Sequence, residues 1–137
     1  MKKLFVTMLL LMACVGMLFG QFAAGDGSEG NPYQITTAEQ LNNVRDYLGE
    51  AYSDKHFMLV NDIDLTAYLA SGGAGHNDGA FWEPIGYVIY DWDDSNHDYN
   101  FFYGKFDGNN KKIIGLKINR TTTNFVGLFG VFKLMEK

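Results

Sequence analysis

The strongest constraint on folding lies at the start of the chain, where a long apolar run carries no charged side chain. Lys2 and Lys3 precede this run, which extends over residues 4–19. Basic residues, an apolar stretch and small residues beyond it are typical of a secretory signal peptide. We predict that residues 1–24 are removed during export. The remaining segment, 25–137, has 113 of the 137 residues, enough for one domain with its own core.

Two other fates of the leader are consistent with its sequence. The apolar run could stay as a membrane anchor, although it is shorter than the roughly 20 residues that a spanning helix needs. The sequence Leu11-Met12-Ala13-Cys14 also resembles a lipoprotein acylation site, in which Cys14 would carry the lipid. We place the cut after Ala24. Because Cys14 is the only cysteine, the exported part then has no disulfide, although export would permit one.

The exported part is acidic, and its charge is unevenly distributed. Without the two leader lysines, nine basic residues accompany sixteen acidic ones, a formal charge of −7. Residues 26–98 contain fourteen of the acidic residues and two of the basic ones. No basic stripe with interleaved aromatic side chains is present in this half, which argues against nucleic acid as a partner.

One helix and several short strands are predicted in the exported part. Either Thr36 or Thr37 can open a capping box with the residue three positions later, Glu39 or Gln40, and apolar residues then recur at helical spacing, which predicts a helix over about 37–48. Apolar or alternating runs bounded by Gly, Asn and Asp predict strands over 56–65, 101–106, 113–119 and 125–132. The long stretch at about 66–100 has no regular pattern and is expected to be an inserted loop.

Six short motifs, taken in their order along the chain, resemble a known family. They are Asn31-Pro32-Tyr33-Gln34-Ile35, Thr37-Ala38-Glu39-Gln40-Leu41, Asn61-Asp62-Ile63-Asp64-Leu65, Trp82-Glu83-Pro84-Ile85-Gly86, Phe106-Asp107-Gly108-Asn109 and Gly127-Leu128-Phe129-Gly130. The chain is similar here to the N-terminal part of the GLUG-motif proteins, bacterial surface and secreted proteins of haemagglutinin-like or adhesin-like character. The resemblance implies a mainly β fold: a short right-handed β-solenoid (β-helix) segment with one N-terminal capping helix.

The resemblance also implies that the solenoid is short. Many relatives continue through further repeats, whereas this chain offers two or three coils, and repeat units bury their apolar faces only against neighbours. We therefore expect a truncated product, an N-terminal portion of a longer protein, a self-capping variant, or a piece that completes its sheet on a partner. An open last edge of the solenoid would be prone to self-association.

The motif residues are expected to be structural rather than chemical. Aspartates next to asparagine or glycine fix turns, and glycines permit tight turns and close strand approach. The residues assigned this structural role are Asp62, Asp64, Gly86, Asp107, Gly108, Gly127, Leu128, Phe129 and Gly130.

The acidic, aromatic part of the predicted loop is the candidate binding region. Trp92, Tyr90 and Tyr99 have faces that can stack on sugar rings, beside polar side chains that suit hydroxyl groups, so we hypothesise glycan contact there. The alternative for an aromatic residue is the core, which we favour for Trp82. The acidic residues at 91, 93, 94 and 98 depart from the spacing of a helix-loop-helix calcium site, so a solvated acidic loop is the favoured interpretation.

No catalytic constellation is recognisable in the sequence. His56, His76 and His97 lack a second histidine or cysteine at short spacing, so no zinc site is expected. The serines lack a nucleophile-elbow context, and no pair of carboxylates is singled out. We predict no cofactor and no enzymatic activity. The sequence favours a secreted or cell-surface structural or adhesion-type module whose partner is a cell-surface glycan or protein, with a carbohydrate-binding module as the alternative.

Overall fold

Short strands and short helices make up the regular structure in the computed structural model of the chain. It describes residues 20–89, 98–122 and 124–132, except for the side chains of Ile89, Asp98 and Tyr99. The strands are β1 (Tyr33–Ile35), β2 (His56–Leu59), β3 (Ile63–Asp64), β4 (Tyr87–Ile89), β5 (Asp98–Asn100), β6 (Lys105–Asp107) and β7 (Ile113–Ile114). The α-helices are α1 (Ala38–Asn43) and α2 (Thr66–Leu69), and 3-10 turns lie at Val44–Tyr47, Glu50–Tyr52 and Asn77–Gly79.

The strands pair into three small sheets. The first is parallel with the order β1-β2-β6, so that Tyr33, Phe57 and Phe106 lie opposite one another across it. The second is the parallel pair β3-β7, with Ile63 opposite Ile113. The third is the antiparallel pair β4-β5. β2 and β6 are hydrogen-bonded neighbours in the first sheet, although about 45 residues of chain connect them.

The predicted right-handed β-solenoid is wrong. The described strands have two to four residues and form separate small sheets, one of them antiparallel, and the described residues contain no closed coil. The predicted strand over 56–65 is divided at residues 60–62 into β2 and β3, and the predicted strand over 113–119 ends at Gly115, which has φ 71°. Residues 125–132 form only isolated bridges to Ile85 and Phe102.

The predicted helix over 37–48 forms only in part as an α-helix. Thr37 is the N-cap, and its hydroxyl oxygen accepts a hydrogen bond from the Gln40 backbone N–H at 3.2 Å. The α-helical part ends at Asn43, and the 3-10 turn that follows carries the chain to Leu48, which is extended. The fully buried side chains of Leu41 and Val44 fix this segment against the core.

The region predicted as an inserted loop, 66–100, contributes to the core. It contains α2, β4 and β5, and Leu69, Trp82 and Ile85 are buried. The interpretation of Trp82 as a core residue is therefore confirmed, while that of 66–100 as a loop without regular structure is wrong. Its central part, 90–97, lies outside the described residues.

The core is apolar, with the parallel sheet β1-β2-β6, α1 and the segment 82–85 around it. No polar or charged residue is buried among the residues that the structure describes. The buried side chains are Phe22, Ile35, Ala38, Leu41, Val44, Phe57, Leu59, Ile63, Leu65, Leu69, Trp82, Ile85 and Phe102. Burial of large aliphatic and aromatic groups contributes about 1.5–3 kcal/mol each, so this cluster is the main source of stability.

Candidate functional site

The glycine motif at 127–130 docks against residues 82–86, and we call this contact the Trp82 junction. The indole Nε1 of Trp82 donates to the Leu128 carbonyl at 3.1 Å, and the Ile85 N–H donates to the same carbonyl at 3.0 Å. The Gly130 N–H donates to the Ile85 carbonyl at 2.9 Å. The buried indole thus finds the polar partner that a buried tryptophan normally requires.

Two glycines allow the close approach at the Trp82 junction. A Cβ atom at Gly130 would lie 2.5 Å from the carbonyl oxygen of Gly86. Gly86 has φ 83°, which side chains rarely adopt, and a Cβ there would collide with the carbonyl oxygen of Val131. Phe129, between the two docking groups, pairs with Ile85 in a parallel bridge. The motif therefore brings two backbone segments together.

Arg45 ties the end of the helical segment to the Trp82 junction. Its guanidinium donates to the Glu83 carbonyl at 2.7 Å and to the side-chain oxygen of Asn42 at 2.9 Å, and lies over the Trp82 ring at 5.5 Å from its centroid. Burial lowers the pKa of Arg45 below its usual value, and the nearby charge of Glu83 opposes this shift. Arg45 was not predicted as a site residue, although it is the only arginine in the strongly acidic half of the sequence.

The aspartates of the Asn61 motif bind backbone groups. A carboxylate oxygen of Asp62 accepts the N–H of Lys112 at 2.9 Å, which holds β3 to the start of β7. A carboxylate oxygen of Asp64 accepts the N–H of Thr66 at 2.8 Å where α2 begins. Hydrogen bonds from the Thr66 side chain and backbone lower the pKa of Asp64. This geometry suits turns and strand ends, the role predicted for these residues.

A second turn follows β6. Asp107 accepts the N–H of Asn109 at 2.7 Å, and the Gly108 carbonyl accepts the N–H of Lys111 at 2.8 Å. Asn109 has φ 45° and donates from its side-chain amide to the Leu59 carbonyl at 3.0 Å. This asparagine therefore fastens the turn to the end of β2. Gly127 was also predicted to be structural, and a Cβ atom there would lie 3.0 Å from the Phe129 carbonyl oxygen.

The predicted glycan-contact residues fall at the limits of the described structure. Trp92 and Tyr90 lie outside it, and Tyr99 lies in β5 with its side chain outside it. The antiparallel pair β4-β5 joins the two ends of the undescribed segment 90–97. At the base of this pair, Tyr87 is 40% exposed and its hydroxyl oxygen accepts a hydrogen bond from the side-chain amide of Asn100 at 2.9 Å.

Metal ligands do not cluster in the described ranges 20–89, 98–122 and 124–132. No group of three or more His, Cys, Asp or Glu side chains there could hold an ion. Asp91, Asp93 and Asp94, considered above for calcium, lie outside these ranges. In the same ranges, no helix is both long enough and apolar enough to cross a bilayer.

Sequence comparisons match this chain to small parts of long proteins. Over 110 residues it is 52% identical to a protein of Evansella cellulosilytica that carries the name Gly-rich membrane protein. Over 106 residues it is 30% identical to halomucin of Haloquadratum walsbyi. The matches cover 80% and 77% of this chain, but only 10% and 1% of those proteins. No family model matches, and no solved structure matches. The resemblance to GLUG-motif proteins therefore stays a prediction.

Proposed function

We propose that this chain is an exported, non-catalytic structural or adhesion-type module of a surface or extracellular protein. The observation that carries the proposal is the 52% identity over a segment that makes up 10% of a protein named a Gly-rich membrane protein. The same segment, at 30% identity, is 1% of halomucin. A sequence that recurs as a small part of long proteins has the character of a domain with its own core.

The geometry of the described residues supports a structural role. The polar contacts at the Trp82 junction and in the aspartate turns go largely to backbone groups and hold segments together. Active sites, by contrast, collect titratable side chains with perturbed pKa values in a cleft. The buried cluster here is apolar throughout its described part. These contacts of the described residues support the structural part of the proposal.

The location can be tested by expressing the full chain with a C-terminal tag in a bacterial host. We expect the tagged protein in the medium, or on intact cells in a form that added trypsin removes. Leu10→Arg places a charge in the apolar run and should leave the protein inside the cell. The matched control Val126→Arg adds the same charge at an exposed position and should not alter export. A wild-type protein confined to the cytoplasm would contradict the proposal.

For the partner, we propose self-association through the outer region, which we define as residues 113–132. Ile114, Val126 and Phe132 are 47%, 57% and 60% exposed, an unusual amount of apolar surface for one short region. In the described residues, β6 lies at an edge of its sheet and β7 pairs only with β3. An edge strand beside exposed apolar side chains is a typical surface for pairing with another chain.

Sedimentation velocity at increasing protein concentration tests the partner proposal. We expect a concentration-dependent dimer or larger species, which Val126→Lys weakens by placing a charge in the apolar surface. Thr121→Lys, at an exposed polar position of the same region, is the matched control and should leave association unchanged. A wild-type protein that stays monomeric at every concentration would remove self-association from the proposal.

Glycan binding is the second candidate function. The supporting observation is the pairing of β4 with β5, the two strands that flank residues 90–97 in the sequence, together with the exposed Tyr87 in β4. On a glycan array, Trp92→Ala should abolish binding to a polysaccharide while the folded protein keeps its thermal midpoint. Phe132→Ala removes an exposed ring elsewhere and should retain binding. No wild-type signal above that of Trp92→Ala would exclude this function.

A further inference from the structure

Residues assigned above to the removed leader are part of the folded core. Phe22 is 8% exposed, and its ring stacks on that of Tyr33 with centroids 4.6 Å apart and an interplanar angle of 24°. It also meets the ring of Phe57 edge-on at 5.6 Å and that of Tyr47 at 5.7 Å. We call these four side chains the N-terminal aromatic cluster. Cleavage after Ala24 would remove its first member and leave the others partly uncovered.

Gln21 makes polar contacts that also depend on this segment. Its side-chain oxygen accepts a hydrogen bond from the Tyr47 hydroxyl at 2.8 Å, and its side-chain nitrogen donates to Asp46 at 2.7 Å. Its backbone carbonyl accepts a hydrogen bond from the side-chain amide of Asn43 at 3.0 Å. The segment is therefore held at the end of α1 and along the 3-10 turn that follows it.

The backbone of the segment completes the sheet. The Ala23 N–H donates to the Gln34 carbonyl at 2.9 Å, and the Gln34 N–H donates to the Ala24 carbonyl at 2.8 Å. These bonds form an antiparallel bridge on the side of β1 away from β2. A chain beginning at Gly25 would expose this edge of β1, together with its unpaired N–H and C=O groups.

We infer that the leader is removed upstream of Gln21 and that residues 21–24 form the first paired segment of the exported domain. Two bonds fit this assignment: the one after Gly16, where Cys14-Val15-Gly16 has the small-x-small pattern, and the one after Gly20. Hydrolysis of either bond consumes one water and leaves a glycine carboxylate and a new α-amine on Met17 or Gln21. Acylation with Cys14 as the first residue also keeps the segment.

Intact-mass measurement of the exported, C-terminally tagged protein tests this inference, which rests on the export proposed above. A first residue at Cys14, Met17 or Gln21 supports it. A first residue between Phe22 and Gly25, or an exported chain that keeps its leader, overturns it without affecting the proposal of export. A protein found uncut in the cytoplasm refutes both.

A second measurement tests whether Phe22 belongs to the core. In urea unfolding of the exported protein, Phe22→Ala should raise the unfolding equilibrium constant by roughly 100-fold or more, because a buried phenylalanine is lost. Phe132→Ala, at a position 60% exposed, is the matched control and should change the constant by less than about threefold. A change of less than about threefold for Phe22→Ala as well would show that Phe22 is not a core residue and would overturn the inference.

Discussion

The packed region, residues 20–86, and the outer region, residues 113–132, differ sharply in how they bury apolar side chains. Twelve of the thirteen buried core residues lie in the packed region. Of the seven exposed large hydrophobic residues in the described chain, five lie between Ile114 and Phe132. Both regions contain runs of the same strand-forming residue types. The difference shows that such a run identifies a candidate strand, while burial depends on what covers it.

Hydrogen bonds and partly buried side chains, rather than fully buried ones, hold the outer region to the packed region. Besides the bonds of the Trp82 junction, Arg120 donates to the Trp82 carbonyl at 3.1 Å, and the Leu65 N–H donates to the Ile114 carbonyl at 2.9 Å. Lys117 lies over the Phe81 ring at 3.8 Å from its centroid. Such contacts contribute about 1 kcal/mol each, less than a fully buried aromatic side chain.

The same substitution in the two regions should have the most unequal effects. Phe57 is 1% exposed and contacts four rings, the three others of the N-terminal aromatic cluster and that of Phe102, so Phe57→Ala should cost about 3–5 kcal/mol of unfolding free energy. Phe132→Ala, at 60% exposure, should cost no more than about 0.5 kcal/mol. Urea unfolding followed by circular dichroism measures both. Comparable losses would mean that Phe132 is buried in solution, for instance by another copy of the chain.

A substitution at the Trp82 junction should separate the two regions dynamically. Trp82→Phe removes the indole N–H that donates to Leu128 and reduces the packed volume, at a cost of about 2 kcal/mol. Hydrogen exchange should accelerate at the Gly130 N–H more than at the N–H groups of β2. Phe125→Leu, an exposed aromatic of the outer region, is the control and should leave exchange at Gly130 unchanged. Equal acceleration throughout would show that both regions unfold as one unit.

Local signals in the sequence predict local features of this fold better than its overall arrangement. The capping-box pattern located the N-cap of α1 to within one residue, Thr36 or Thr37, because capping depends on residues three positions apart, and the structure has it at Thr37. The solenoid was wrong because closure depends on distant segments, and no local pattern marks the breaks in the predicted strands at residues 60–62 and at Gly115. Phe22 was assigned to the leader rather than to the core because apolar residues are typical of both.

At the Trp82 junction too, local features could be predicted from the sequence and long-range contacts could not. The glycines at 86 and 130 were identified as structural from their motifs, and the atoms they approach became visible only when the two segments met. Arg45 serves the Trp82 junction from 37 positions away along the chain. Sequence spacing carries no information about that distance, since the contact arises from the path of the whole chain between them.

A smaller effect is expected at the N-cap of the packed region. Thr37→Ala removes the hydrogen bond from the Gln40 N–H and should lower the unfolding free energy by about 1 kcal/mol, because a helix N–H loses its partner. Thr37→Ser keeps the hydroxyl and serves as the matched control, with a loss near zero. Chemical denaturation of both variants checks this. If the serine variant is as unstable as the alanine variant, the methyl group rather than the hydrogen bond stabilises this position.

The smallest effect at neutral pH is expected for Tyr47→Phe, and the advantage of the wild type over this variant should decrease as the pH rises above 10. Burial, followed by the hydrogen bond with Tyr33, raises the pKa of Tyr47 to about 12, whereas an unfolded tyrosine has a pKa of about 10. The folded state therefore holds the proton more tightly, and its stabilising contribution is complete below pH 10 and is lost as the pH rises towards 12.

At pH 7 the phenylalanine variant loses the hydroxyl that bonds with Gln21 and Tyr33, at a cost of about 0.5 kcal/mol. Between pH 10 and 12 its unfolding free energy should fall less steeply than that of the wild type, since it lacks one of the protons that the folded state retains. Tyr68, whose pKa is also raised by burial, should contribute to the pH dependence of the unfolding free energy that remains in the variant. Parallel alkaline slopes for the two proteins would mean that Tyr47 titrates alike in both states. The N-terminal aromatic cluster would then be open to water, and the contrast between the packed and outer regions would be weaker than their exposures indicate.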